Sequence, residues 1–161
     1  AMIALMRDGF HEQSEGGSVE LDKLDRPILD YPLNDYFFDG ARRACATMVE
    51  MQFAVGAKKA RPSHRSAPYY GSWKEAKKAL SELSFAPGRV SIGSAHIMGG
   101  CAMGEDSKQS VTDSYGKFHQ LDQLYVMDGS LFPTSIGANP QLTIYGLSLR
   151  NARRLAARLG A

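Results

Sequence analysis

The spacing of apolar residues changes along this chain, and the changes mark its elements. Up to about Val19 the pattern is poor, and Glu15-Gly16-Gly17-Ser18 reads as a turn. Val19-Glu20-Leu21 then alternates apolar and polar, Lys23 to Arg26 turns, and Pro27-Ile28-Leu29-Asp30-Tyr31 reads as a second short strand. A hairpin is expected there, with Pro27 near a strand start. Asn34 or Asp35 can cap a helix that runs through Phe38, Ala41, Cys45, Met48 and Val49 to Gln52, because its apolar residues recur every three or four. Gly56 is placed to end it. Arg61 to Tyr70 reads as a loop. Ser72 with Glu75 three residues on makes a capping box for a helix from Trp73 to about Leu83. Pro87-Gly88 breaks the chain, and Arg89 to Gly104 is rich in glycine, serine and methionine. Leu124-Tyr125-Val126-Met127 reads as a buried strand. Pro140 to Leu159 reads as a long helix with apolar positions at Leu142, Ile144, Tyr145, Leu147, Leu149, Leu155 and Leu159. Arg150, Arg153, Arg154 and Arg158 in its later turns suit the negative end of a helix.

Composition narrows the class. With 161 residues, 43% hydrophobic and 22% charged, the chain has the makeup of a globular domain able to bury a core. The formal charge of +2, from 19 basic and 17 acidic residues interleaved along the chain, gives no reason to expect nucleic acid or an anionic membrane as partner. The densest basic stretch, Lys58 to Arg65, reads as a solvated loop and is too small for a nucleic-acid footprint. Cys45 and Cys101 make neither a disulfide framework nor a Cys-x-x-Cys metal pair, so a reducing, cytoplasmic setting and no metal are expected. No apolar run approaches the roughly 20 residues of a membrane span. The opening Ala1-Met2-Ile3-Ala4-Leu5-Met6 lacks the basic leader of a signal peptide, and Ala1 reads as a scar of tag removal.

Candidate chemistry lies in three segments of the later chain. The first, Ser94-Ala95-His96-Ile97-Met98-Gly99-Gly100-Cys101-Ala102-Met103-Gly104, puts a histidine ahead of paired glycines that let backbone approach something bulky. A histidine is the commonest base near neutral pH; taken alone, a core histidine beside a tight turn explains it better. In the second, Asp128 follows the apolar run and precedes Gly129-Ser130. A carboxylate at a strand end can hold ribose or ribityl hydroxyls; taken alone, capping the next turn is the better reading. In the third, Gly137-Ala138-Asn139-Pro140-Gln141-Leu142-Thr143-Ile144, proline falls at the first helical position and asparagine at the cap. The free N–H groups of such a helix start favour an anion, though a plain cap also satisfies the local sequence.

Order and spacing bind the three together. His-x-x-Gly-x-Cys-x-Met-Gly, then about 20 residues to Asp-Gly-Ser-x-Phe-Pro-Thr, then Asn-Pro-x-x-Thr-Ile resembles the C-terminal signature of the glucose-methanol-choline (GMC) oxidoreductases. Ser110-Val111-Thr112-Asp113 and the run from Phe118 to Val126 resemble intervening family segments. The likeness covers roughly 92–159, with a weaker echo over 17–58. Gly99-Gly100-Cys101-Ala102-Met103-Gly104 stands where the family commonly has Gly-Thr-Cys-Arg-Met-Gly, and His119-Gln120 replaces a glycine-containing turn.

The resemblance implies a FAD-dependent enzyme that oxidises the CH–OH group of an alcohol by hydride transfer to flavin. By position, His96 and Asn139 are the catalytic pair. Asp128 lies near the ribityl chain, and Gly129, Asn139, Pro140 and Gln141 lie at the flavin. The expected fold class is α+β (mixed α/β). Residues 1–104 would be part of a substrate domain with an antiparallel sheet and helices. Residues 105–161 would return to the FAD-binding domain as its last, flavin-facing strand and helix. The family's Gly-x-Gly-x-x-Gly unit, which holds the ADP part of FAD, has no counterpart in this sequence. The expected state is therefore a C-terminal fragment with weak or absent FAD binding and no activity alone, whose partner is the missing N-terminal portion and whose uncovered faces lead to self-association. The competing expectation is a stand-alone small-molecule binding or interaction module with no redox activity.

Overall fold

The computed structural model describes residues 2–9, 11–14 and 16–160. Ala1, and Glu15 of the expected turn, lie outside the described residues. The chain divides into two compact units, Ala1–Gly93 and Ser94–Ala161. Helices and a two-stranded antiparallel sheet make the class α+β, as expected.

In the first unit β1 (Ser18–Leu21) pairs antiparallel with β2 (Pro27–Asp30), Val19 opposite Leu29 and Leu21 opposite Pro27. The turn between them is held by Asp22, whose Oδ1 accepts from the N–H groups of Leu24 (2.8 Å) and Arg26 (3.0 Å). Helix α1 (Asp35–Ala54) begins at Asn34, whose Oδ1 accepts from Phe37 N–H at 3.0 Å. It ends in a Schellman motif: Gly56, in the left-handed region at φ +92°, donates to Phe53 O, and Ala57 donates to Gln52 O. Helix α2 (Trp73–Glu82) is capped by Ser72, which accepts from Glu75 N–H, while Glu75 Oε2 accepts from Gly71 N–H. That reciprocal contact reaches one residue earlier than the usual capping box.

Phe38, Ala41, Cys45 and Val49 form the inward stripe of α1, and Ala76 and Leu80 that of α2. The stripes meet, with Phe85, Ala60, Ala67 and Tyr70 closing the core. The sequence pattern does not foresee Arg42. Its Nη1 donates to the carbonyls of Leu80 and Leu83, both at 2.8 Å, and so finishes the C-terminus of α2.

The second unit has less regular structure. The 124–127 run is not a strand: only Tyr125 pairs, in an isolated bridge with Lys117, and Val126 N–H donates to Gly116 O at 2.8 Å. Gln123, at φ +66°, bends the chain just before the run, and Phe118 N–H donates to Leu124 O at 3.0 Å, so the run lies along the short segment 116–118. Helix α3 (Gln141–Leu159) starts one residue later than expected. Pro140 occupies the cap position, its carbonyl accepts from Ile144 N–H at 2.8 Å, and no side chain caps the helix. Asn139 is therefore not the cap, because it sits one residue too early to reach the first free N–H groups. The expected apolar positions of α3 also divide: Ile144, Leu147 and Leu155 are half-buried, while Leu142, Tyr145, Leu149 and Leu159 are exposed. Its arginines serve aromatic rings more than the helix end. Arg150 and Arg154 lie 4.6 and 4.2 Å from the centre of the Tyr115 ring, and Arg158 donates to Tyr125 Oη at 3.1 Å. Among the described residues no helix is long and apolar enough to cross a membrane.

Candidate functional site

The three motif segments of the second unit meet around one glycine. Gly129 is buried, and a Cβ built on it would lie 3.0 Å from Ile144 Cδ1 and 3.1 Å from Ile97 O. It therefore touches the backbone next to His96 on one side and the first turn of α3 on the other. The contact continues along the His96 turn. Gly99, at φ +94°, has Pro133 O at 3.5 Å from the corresponding Cβ position; Cys101 N–H donates to Ser130 O at 3.0 Å, and Met103 N–H donates to Leu131 O at 2.9 Å. A side chain at 129 would press on a carbonyl and on the Ile144 side chain, which favours glycine there. That packing accounts for Gly129 without a ligand.

Asp128 is exposed, and its Oδ1 accepts from Ser130 N–H (2.8 Å) and Ser130 Oγ (2.6 Å). It caps the short 3₁₀ turn Gly129–Leu131, which is the second of the two local readings of this residue. Its other oxygen, Oδ2, has no partner among the described residues and remains an acceptor. Ser148 of α3 donates to Met127 O at 2.7 Å, tying the helix to the residue before Asp128. Sequence reasoning missed that bond, and nothing in the spacing of a lone mid-helix serine signals it.

His96 is half-buried, and its ring makes no hydrogen bond among the described residues. It is therefore not a core histidine with both nitrogens satisfied. Asn139 is exposed, and its amide likewise has no partner among the described residues. Pro140 is buried. Gln141 is exposed, and its Nε2 donates to Tyr145 Oη at 2.7 Å. With Pro140 as cap, the N–H groups of Gln141, Leu142 and Thr143 have no acceptor within the helix, so α3 presents open donors and the positive end of its dipole. The segments of all six candidate residues thus belong to one cluster of backbone, and its free polar groups are a ring, an amide, a carboxylate oxygen and helix-end N–H groups. A histidine of this kind can take a proton, and the amide can orient a hydroxyl. The open helix end suits a group that gains negative charge.

A second histidine of this unit has partners. His119 Nε2 lies 3.0 Å from Ser110 Oγ and 3.1 Å from Gly104 O, and Ser110 Oγ also donates toward the carbonyls of Gly104 and Asp106. Among the described residues no carboxylate orients the ring, and the hydroxyl is already committed to main-chain carbonyls. The pair fastens a loop.

The chain belongs to the GMC oxidoreductase family, whose C-terminal model matches residues 12–148. Among similar proteins, the 6'''-hydroxyparomomycin C oxidase of Streptomyces lividus is 44% identical over 69 residues, which are 43% of this chain and 13% of that protein. The paromamine 6'-oxidase of Streptomyces fradiae is 42% identical over 67 residues, 42% of this chain and 12% of that protein. A long-chain-alcohol oxidase of Arabidopsis thaliana is 28% identical over 154 residues, 91% of this chain and 20% of that protein. The chain thus spans about an eighth to a fifth of the length of these relatives.

Proposed function

We propose that this chain supplies the alcohol-handling side of the active site of a FAD-dependent oxidoreductase that oxidises CH–OH groups. By role, residues 1–104 belong to its substrate domain and 105–161 to the flavin-facing end of its FAD domain. His96 and Asn139 meet the substrate. Asp128, Gly129, Asn139, Pro140 and Gln141 border the cofactor. The observation that carries this reading is the packing of the His96 turn and of the α3 start on either side of Gly129. Family membership and the relatives' names, all of oxidases and one of long-chain alcohols, support the alcohol as substrate class.

The residues fit the flavin end of the cofactor. The α3 start has no side-chain cap, so its N–H groups are free for an electron-rich ring edge, and Asp128 Oδ2 is free to accept from a hydroxyl. When bound, FAD supplies the two-electron acceptor that takes the hydride from the carbinol carbon. His96 accepts the hydroxyl proton as the C–H bond breaks and the carbonyl forms. Asn139 donates to the substrate oxygen and holds it toward the histidine. Such general-base help is worth about 10²–10⁴ in rate.

In the flavin-loaded parent enzyme His96→Ala is expected to slow reduction by substrate at least about a hundredfold in stopped-flow absorbance. A near-normal reductive half-reaction would overturn the assignment. The 161-residue chain alone is expected to bind FAD weakly or not at all, because its candidate contacts reach the flavin end and no Gly-x-Gly-x-x-Gly turn is present for the pyrophosphate. Stoichiometric quenching of flavin fluorescence in a titration would contradict that.

A further inference from the structure

The first unit contains a feature that the alcohol chemistry leaves unused, a cavity of about 720 Å³ between α1 and two loops. Its floor is the half-buried Met48 of α1, which lies over the buried Cys45 and Val49. Its walls are the basic loop around 59–65 and the segment 88–91, joined by two backbone bonds: Arg65 N–H donates to Arg89 O at 2.7 Å, and Ser91 N–H donates to Ser63 O at 3.2 Å. His64 pins the wall from inside. Its ring is buried, Nε2 donates to Ser84 O at 2.9 Å, and Nδ1 accepts from Ser66 N–H at 3.2 Å. Both nitrogens are used, so this imidazole is structural. The cationic side chains of the loop are exposed, as in a solvated loop, while its backbone and His64 form a built wall.

Four cationic residues, Lys59, Arg61, Arg65 and Arg89, line the cavity, and among the described residues no Asp or Glu does. Two of the four have local occupations: Arg61 Nε donates to Ala67 O at 2.9 Å, and the Lys59 ammonium lies 5.0 Å from the centre of the Tyr69 ring. The guanidinium groups of Arg65 and Arg89 have no carboxylate, carbonyl or ring partner among the described residues. Their backbones are hydrogen-bonded to each other, so two uncompensated guanidinium arms are rooted side by side. Both side chains are exposed, so solvent screens their mutual repulsion, and the planar fork of each matches phosphate oxygens. The volume is that of a small-molecule site, and the apolar floor gives an organic body somewhere to lie.

We propose that this cavity binds a small organic phosphate, with its phosphate on Arg65 and Arg89 and its apolar portion on the Met48 side chain. None of the lining residues belongs to the 96–141 motifs, so the inference does not rest on the flavoenzyme reading. Calorimetric titration of the full chain with phenyl phosphate tests it, with inorganic phosphate and benzyl alcohol as comparison probes. Phenyl phosphate should bind at one saturable site, inorganic phosphate more weakly, and benzyl alcohol not at all. Arg65→Ala with Arg89→Ala should weaken phenyl phosphate at least about tenfold, since charge-assisted bonds are the strong ones. Arg65→Lys with Arg89→Lys, which keeps the charge but not the fork, should fall between. The wall is held through main-chain atoms, so far-UV circular dichroism and melting of these variants should match the parent. No saturable binding of phenyl phosphate, or affinity unchanged in the double alanine variant, would overturn the site. Equal affinity for inorganic phosphate would overturn the role of the floor and with it an organic ligand.

Discussion

Up to Gly93 the chain holds its shape by burying side chains; from Ser94 onward it does so mainly by pairing backbone. In the first unit two helices press apolar stripes together, and the buried residues form two contiguous clusters. In the second unit no such cluster forms among the described residues. Loops instead exchange bonds across sequence, such as Cys101 to Ser130, His119 to Val111 and Val126 to Gly116. Its fully buried side chains include Thr112 and Asn151, which are polar. The difference follows from what each unit carries. Helix packing needs only hydrophobicity at the right spacing, whereas bringing three short segments to one point needs glycines, turns and carbonyls at fixed positions. The candidate chemistry is in the second kind of structure.

Deleting a packed side chain should be the harshest test of the first unit. Leu80 is 2% exposed and touches α1 residues from α2. Leu80→Ala should cost about 2–5 kcal/mol in urea unfolding, from lost transfer energy plus a cavity. Hydrogen exchange should accelerate in α1 and α2. A cost below about 1 kcal/mol would mean that packing is not what holds this unit.

In the second unit the comparable injury is the addition of one methyl group. Gly116 is buried at φ +81°, and a Cβ there would lie 2.2 Å from Val126 O and 3.2 Å from Asn151 Nδ2. Gly116→Ala combines left-handed strain with overpacking against backbone, at about 2–4 kcal/mol. Amides of 111–126 should lose exchange protection. A neutral substitution would show that backbone pairing around this turn is dispensable.

These two positions also explain what could be read in advance. Leu80 sits in a helix whose period and Ser72–Glu75 cap are visible in the sequence, and the hairpin and α1 were legible for the same reason. Nothing in the sequence marks Gly116, because its constraint comes from Val126, ten positions away along an irregular path. The 124–127 run looked like a buried strand because alternation and apolar content do not reveal whether neighbours exist to pair with it. The motifs were legible as a set, since their order and spacing resemble a family. How Gly129 joins the His96 turn to α3, and which atoms of Asp128 and Asn139 stay free, depends on contacts that no spacing encodes.

The smallest effect separates two asparagines that the sequence presents alike, each just before a helix. Asn34 accepts from Phe37 N–H and so satisfies one of the free donors of α1. Asn139 precedes a proline that has taken the cap position, and it bonds nothing among the described residues. Asn34→Ala should therefore lower stability by about 1 kcal/mol, the usual worth of a cap. Asn139→Ala should change it by less than about 0.5 kcal/mol, as for an exposed residue away from special features. In the parent enzyme the order should reverse. Asn139→Ala should slow flavin reduction by alcohol, by less than His96→Ala does, while Asn34→Ala should leave that rate unchanged. Paired melting curves and stopped-flow traces of the two variants measure both halves. If Asn139→Ala lowers the melting temperature as much as Asn34→Ala and leaves turnover alone, the residue caps after all, and the chemistry assigned to the start of α3 falls with it.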